Sequence, residues 1–349
     1  MQQLAKHIIN KNEKVRGALA KLDTLASDAI LFVVDDDNKL IGSLTDGDLR
    51  RGFIKNLGFD DAILDFIQKN PISITRNKYS LQQLEEYKKK NFKIIPILNE
   101  DGVITDILNF RLQQTIIPAD AVLMAGGKGK RLLPLTANTP KPLLKVGDKP
   151  IIEYNIDRLI NVGIKKINIS INYLGEQLIS YFGDGTHKGA AIEYAKEDQP
   201  LGTIGSIHLV NSFEHDDILI MNSDLLTNID FADFYNTFKE SGADMAVAAT
   251  SYHVDVPYAV LEVCDNNFVT SLKEKPRYTY YSNAGIYLIK KELLTLIPKN
   301  EFYDVPDLMD AILSSNKKLV TYPITGYWLD IGKHEDYKKA QEDIKHLKW

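Results

Sequence analysis

Three glycines within four residues, Gly126, Gly127 and Gly129, follow the apolar run "AVLMA" and are interleaved with Lys128, Lys130 and Arg131. Glycine lets a backbone turn sharply and come close to a ligand. The cations make that ligand an anion. Lys141 follows, its backbone stiffened between Pro140 and Pro142. Two aspartates stand out among the acidic residues. Asp224 closes the apolar stretch "DILIMNSD" and Asp330 sits in "GYWLDIG". Carboxylates at strand ends beside a phosphate site are hard-oxygen ligands suited to magnesium. Each feature also has a plainer reading. The loop could be a strand-to-helix turn with solvent-facing cations, and a lone Asp after a strand could be a cap or a turn residue.

Two common phosphate motifs do not fit. A P-loop needs G-x-x-x-x-G-K-[ST], but Met124 stands at its first glycine and Arg131 follows Gly129-Lys130. A dinucleotide fingerprint needs G-x-G-x-x-G, and Leu132 replaces the last glycine. No His pair has H-x-x-x-H spacing and Cys264 is the only cysteine, so zinc has no candidate site.

The elements that must hold these groups follow from periodicity. "AVLMA", "KINISI", "DILIMN", "DMAVAAT" and "AVLEVC" read as strands, and "PIIEYNIDRLINVG" and "DFADFYNTFKESG" as helices. Such alternation predicts an α/β fold with a mixed, mostly parallel Rossmann-like sheet covered by helices. Ligands of such sheets sit beyond the carboxyl ends of the strands, where the glycine loop lies. Ahead of this half, "EKVRGALAKLDT" then "AILFVVDDDNKLIGSLT" reads as helix, strand, acidic turn, strand. "SLQQLEEYKKKN" then "KIIPILNEDGVITDIL" repeats that order, with Ser80 as an N-cap. The stretch Arg111–Asp120, with its Pro118, is the expected join. The expected domains are residues 1–117, α+β, and residues 118–349, α/β.

The string Leu123-Met124-Ala125-Gly126-Gly127, then Gly129, Arg131, Pro134, Leu135, Thr136 and Pro140-Lys141-Pro142, resembles the signature of the sugar-1-phosphate nucleotidyltransferases. That family has a glycosyltransferase-A-like fold and joins a nucleoside triphosphate to a sugar 1-phosphate with release of pyrophosphate. The nucleophile is already ionised at neutral pH. The task is therefore to bring two polyanions together and stabilise charge, which calls for N–H groups, cations and metal rather than a general base. The resemblance implies that Ala125, Gly126, Gly127 and Gly129 cradle the triphosphate. Arg131 would hold the leaving phosphates, and Lys141 would reach the α-phosphate or the sugar phosphate. Asp224 and Asp330 would hold Mg2+ between them. In "KEDQPLGTIGS", Glu197 would read the base and Gly202 would let it lie flat. A carboxylate can accept from both N–H donors of guanine, which favours GTP; the alternative is a solvent-facing Glu197 with a backbone group reading the base. Tyr258, Glu274, Lys275 and Asn283 would line the sugar phosphate, although Ala259 departs from the Tyr-Gly common at Tyr258.

The first half resembles tandem CBS (cystathionine-β-synthase) domains through Asp35, Gly42, Thr45 and Asp48 of "FVVDDDNKLIGSLTDGDLRR". Thr45 and Asp48 match the T-x-x-D pair that binds the ribose of an adenine nucleotide in such domains, and a ligand-free scaffold or dimerisation module is the alternative. The second copy lacks a clear T-x-x-D. The two-part layout looks most like the glucosamine-1-phosphate guanylyltransferases of bacterial legionaminic acid synthesis. Mannose- and heptose-1-phosphate guanylyltransferases, uridylyl-, thymidylyl- or cytidylyltransferases and a non-catalytic nucleotide sensor are alternatives. A glycosyltransferase would need a D-x-D motif, which "MNSD" lacks.

The chain has 349 residues and a formal net charge of -5, which argues against nucleic acid as a partner. No apolar run reaches the roughly 18 residues of a membrane span, and the start has no signal-peptide core. With one cysteine, the expectation is a cytoplasmic protein in a reducing compartment, forming a homo-oligomer.

Overall fold

The computed structural model describes residues 2–76, 78–113 and 115–347. The chain divides into two compact units, Met1–Ile116 and Ile117–Trp349, one residue from the expected boundary. Gln114 of the expected join lies outside the described residues.

The first unit carries the duplication in its backbone. In the first copy Ile8–Asn10 pairs parallel with Ile30–Val34, which pairs antiparallel with Leu40–Thr45. In the second, Ile74–Thr75, Ile94–Leu98 and Ile104–Asn109 repeat that pairing. Both hairpins close on the same side-chain device. Asp35 Oδ1 accepts from the N–H groups of Asp37 and Lys39, and Asn99 Oδ1 from those of Asp101 and Val103. Both also carry a register shift one residue before the turn, at Val33/Val34 and Ile97/Leu98. The copies then diverge. Thr45 opens the helix Asp46–Ile54, whereas Asn109 leads into a turn. The first copy has a reciprocal cap at that point, and the second has Leu112 where Asp48 would stand.

Among the described residues of the second unit, the main sheet has seven strands. Their order is Ala191–Lys196, Lys166–Ile171, Ala119–Met124, Asp217–Asn222, Arg277–Lys290, Met245–Asp255 and Leu319–Pro323. Only Arg277–Lys290 runs against its neighbours, so the sheet is mixed and mostly parallel, as the alternation predicts. Ala119–Met124 is third in that order, between Lys166–Ile171 and the central strand Asp217–Asn222. Its first five residues are all buried, the pattern of a strand covered on both faces.

Helix Phe231–Ser241 shows how the covering layer is built. Asp230 caps its first turn by accepting from the N–H groups of Ala232 and Asp233. Phe231, Phe234, Tyr235 and Phe238 form its buried stripe, and Gly242 ends it in the left-handed conformation.

One expected strand belongs elsewhere. "AVLEVC" forms Val260–Val263, which pairs only with Val269–Lys273 in a separate two-stranded sheet. The turn between them, with Asn266 and Asn267 at positive φ, folds the chain straight back and leaves no crossover to the main sheet. Leu261 and Val263 are correspondingly exposed.

Candidate active site

The glycine loop leaves the carboxyl end of Ala119–Met124, beside the end of Asp217–Asn222 that leads to Asp224. From these two adjacent strands the chain continues toward opposite edges of the sheet, the arrangement in which ligands commonly bind between the following loops. Gly126 and Gly129 owe their lack of a side chain to the protein itself. A Cβ at Gly126 would stand 2.8 Å from Glu197 Oε1, and one at Gly129, where φ is +59°, would stand 2.9 Å from Thr136 and 3.1 Å from Lys141 Cβ. Gly127 is different. It is exposed with nothing within 4 Å, so its backbone faces free space beside Lys128.

The rest of the signature is clamped in place. Thr136 Oγ1 donates to the Gly129 carbonyl at 2.9 Å. Tyr173 and Gln177 donate to the carbonyls of Ala137 and Asn138, each at 2.9 Å, and His334 Nε2 to that of Leu133 at 2.8 Å.

Asp224 and Asp330 are brought together by a short ladder. Leu225–Thr227 pairs antiparallel with Trp328–Asp330, placing Leu225 opposite Asp330, and the Ile331 N–H donates to the Asp224 carbonyl at 3.2 Å. Lys141 lies between the carboxylates. Its ammonium is hydrogen-bonded to Asp224 Oδ2 and stands 3.9 Å from Asp330 Oδ1. The Arg131 guanidinium lies over Gly332 of the same segment, 3.3 Å from where a Cβ would be. Burial, and then the Asp224 carboxylate, push the Asp330 carboxyl above its ordinary range, while Lys141 and Arg131 pull the other way. Although the Asp330 side chain is 43% exposed, its Oδ1 is buried. The Oδ1 atoms of both aspartates are buried without a hydrogen-bond partner. Two such oxygens in one place are costly unless something accepts their lone pairs.

Glu197 and Gly202 are both held by the chain around them. Glu197 is 8% exposed and so does not face solvent from a loop. Oε1 accepts from Ser170 Oγ at 2.5 Å and Oε2 from the Leu201 N–H at 3.2 Å. Each oxygen therefore keeps a single lone-pair direction. Gly202 has φ +78°, and a Cβ there would strike the Tyr303 carbonyl at 2.6 Å. Packing of the chain on itself, rather than a flat base, requires this glycine.

Asn283 sits near the aspartate segment. It accepts from the Gly285 N–H at 2.9 Å, Gly285 packs on Asn222, and the Ala284 carbonyl accepts from Trp328 Nε1 at 2.9 Å. Tyr258, Glu274 and Lys275 lie instead in the exposed hairpin region, Tyr258 at 76% exposure. Among the described residues, no hydrogen bond or ion pair ties them to the loop or the aspartates.

In the first unit Thr45 and Asp48 form a helix cap. Thr45 Oγ1 donates to Asp48 Oδ2 at 2.6 Å, the Thr45 N–H donates to the same oxygen at 2.9 Å, and Arg51 takes Asp48 Oδ1 at 2.5 Å. Asp48 is buried. In this structure the pair serves as a capping box.

Sequence reasoning missed Asn155 and Ser170, both 1% exposed. Their signal was a polar residue in an otherwise aliphatic buried run: Asn155 beside Ile151, Ile152, Ile156 and Leu159, and Ser170 in "KINISI".

The sheet, the loop at its carboxyl edge and the cation-bracketed aspartates define a nucleotidyl-transfer domain. The nucleotidyl transferase family model matches residues 120–346, and the chain belongs to that family. A CBS domain model matches residues 7–55, the first of the two copies. A mannose-1-phosphate guanylyltransferase of Mycobacterium tuberculosis is 29% identical over 230 residues, 64% of this chain and 64% of that protein. A UTP–glucose-1-phosphate uridylyltransferase of Synechocystis is 28% identical over 239 residues, 63% of this chain and 62% of that protein. The chain thus spans less than two thirds of these relatives. A Bacillus anthracis protein crystallised in complex with sucrose shares the fold, with a TM-score of 0.53 at 23% identity over 66% of this chain and 97% of that one. Among the described residues, no helix is long and apolar enough to cross a membrane.

Proposed function

We propose that this protein transfers a nucleotidyl group from GTP to a sugar 1-phosphate and releases pyrophosphate. The observation that carries the reading is the pair of partnerless carboxylate oxygens, on Asp224 and Asp330, bracketed by Lys141 and Arg131 beside the open Gly127 backbone. That donor set fits Mg2+. It offers hard oxygens with unused lone pairs, and among the described residues no group of three or more His, Cys, Asp or Glu competes for the ion. Asp224 and Asp330 would hold it, and when bound it would offset charge on the triphosphate and the leaving pyrophosphate.

The chain's own groups do the remainder. The Gly127 backbone offers its N–H to phosphate oxygens without a side chain in the way. Arg131 is exposed on the loop and free to pair with the leaving phosphates in a forked contact. Lys141, held short between prolines and anchored by the carboxylates, offsets charge at the reacting phosphorus. No residue is asked to remove a proton, because the sugar phosphate is already ionised. Guanine is supported by Glu197, whose remaining lone pairs can accept from adjacent N–H donors, and by the guanylyltransferase among the relatives. Glucosamine 1-phosphate, in legionaminic acid or surface glycan synthesis, is the acceptor favoured by the two-part layout, and mannose 1-phosphate the one favoured by that relative.

The test is pyrophosphate release from the full-length protein with magnesium, crossing GTP, ATP, UTP, CTP and dTTP with glucosamine, N-acetylglucosamine, mannose, glucose and heptose 1-phosphates. Release with GTP and one sugar is expected. Release with a pyrimidine nucleotide alone would keep the reaction and discard the role of Glu197. Silence across the panel from folded protein would overturn the proposal in favour of a nucleotide sensor.

A further inference from the structure

Asn155 is a buried amide on a helix face that is otherwise aliphatic. Such a group costs free energy unless it is fully used. It is used on one segment only. Its Nδ2 donates to the Leu225 carbonyl at 3.0 Å and reaches the Ser223 carbonyl at 3.5 Å. These are the carbonyls of the residues immediately before and after Asp224. The neighbouring contacts close the frame. Ser223 Oγ donates to the Met124 carbonyl at 2.7 Å, tying the segment to the end of the strand that carries the glycine loop. The Ile331 N–H takes the Asp224 carbonyl. One turn along the same helix, Arg158 donates to the Ile229 carbonyl.

One side chain therefore holds the peptide unit before Asp224 and the one after Leu225, and Ile331 holds the unit between them, so the backbone that carries the Asp224 carboxylate is fixed where that carboxylate meets Lys141. We infer that Asn155 is a positioning residue for Asp224: it sets the direction of the carboxylate, and through it the grip of the site on a divalent cation, without touching substrate or ion. The inference rests on the reading of Asp224 as a metal ligand. Orientation by a neighbouring hydrogen-bonding group commonly changes metal affinity by about 10- to 100-fold.

The experiment follows binding of the Mn2+–GTP complex to full-length protein through water proton relaxation, which needs no turnover. It compares the wild type with Asn155→Leu, Asp224→Asn and Thr227→Val, and records the melting temperature of each. Thr227 is a buried control on the same short strand, donating to the Tyr327 carbonyl at 2.9 Å. Asn155→Leu is expected to weaken Mn2+–GTP binding by about tenfold. Thr227→Val is expected to lower the melting temperature comparably and leave that binding alone. Should Asn155→Leu fail to fold, the smaller Asn155→Ser is read in its place. If Asp224→Asn binds like the wild type, the metal reading itself is wrong. If Asp224→Asn is impaired while the Asn155 variant matches the wild type, or weakens binding no more than Thr227→Val does, the positioning role is overturned.

Discussion

Asp224→Asn and Asp330→Asn are each expected to lower kcat by about 10³-fold or more while leaving a folded protein, because on the proposed reading each removes a carboxylate that would hold the cation offsetting transition-state charge. The amide keeps the shape of the carboxylate, so the ladder between Leu225–Thr227 and Trp328–Asp330 is undisturbed. Stability adds a second, independent reading. The Asp330 carboxylate has a buried, partnerless oxygen and lies next to Asp224, two conditions that disfavour a charge in the fold. Asp330→Asn relieves both and is expected to raise the melting temperature of the metal-free protein by about 1–2 °C, a gain of under 1 kcal/mol in a domain of this size. Loss of activity with gain of stability is the signature of a residue kept for function. Near-wild-type turnover at saturating magnesium would remove either aspartate from the site. A melting temperature that falls would mean that Lys141 and Arg131 more than compensate the burial of Asp330.

Much of the site was legible because its residue types are unusual where they stand. Glycines interleaved with cations after a buried strand, and a lysine between two prolines, mark a segment to examine for anion binding. The meeting of Asp224 with Asp330 was not legible from physics. It depends on the register that sets Leu225 opposite Asp330, a pairing between segments roughly a hundred residues apart that no local pattern encodes. For Glu197 and Gly202 the residue types mark the positions but not their surroundings. A glutamate at a strand end looks solvent-facing until Ser170 and Leu201 are seen to occupy it. A glycine before a polar loop looks like a ligand platform until Tyr303 fills its space. Thr45 and Asp48 show the same limit from the other side. The i, i+3 spacing that could grip a ribose is also the spacing of a capping box, and the structure uses it as one. The duplication was legible because hairpin turns are local. Asp35 and Asn99 close equivalent turns with equivalent hydrogen bonds.

Lys141→Met is expected to cost about 10²–10³-fold in kcat, the loss of one well-placed cation. The direction of its effect on stability separates it from the aspartate variants. The Lys141 side chain is only 11% exposed and stands between two carboxylates. Removing it leaves those charges facing each other with no cation between them. A fully buried pair broken from one side costs about 3–5 kcal/mol, and the partial exposure of Asp330 reduces this toward about 2 kcal/mol. The metal-free melting temperature should therefore fall by about 4–8 °C. In the double variant Lys141→Met/Asp330→Asn one of the repelling charges is gone, so much of that loss should return while turnover stays lost. Such non-additivity is expected only of residues in direct electrostatic contact. If the two substitutions prove additive in melting temperature, Lys141 does not bridge the aspartates in solution and its catalytic role would have to be argued from the substrate side alone. Lys141→Arg tests the geometry: guanidinium is larger and planar, and the Lys141 side chain is only 11% exposed between the two carboxylates. Arginine should restore most of the stability and little of the rate, because a cation displaced by one or two ångströms still neutralises the aspartates but no longer meets the reacting phosphorus.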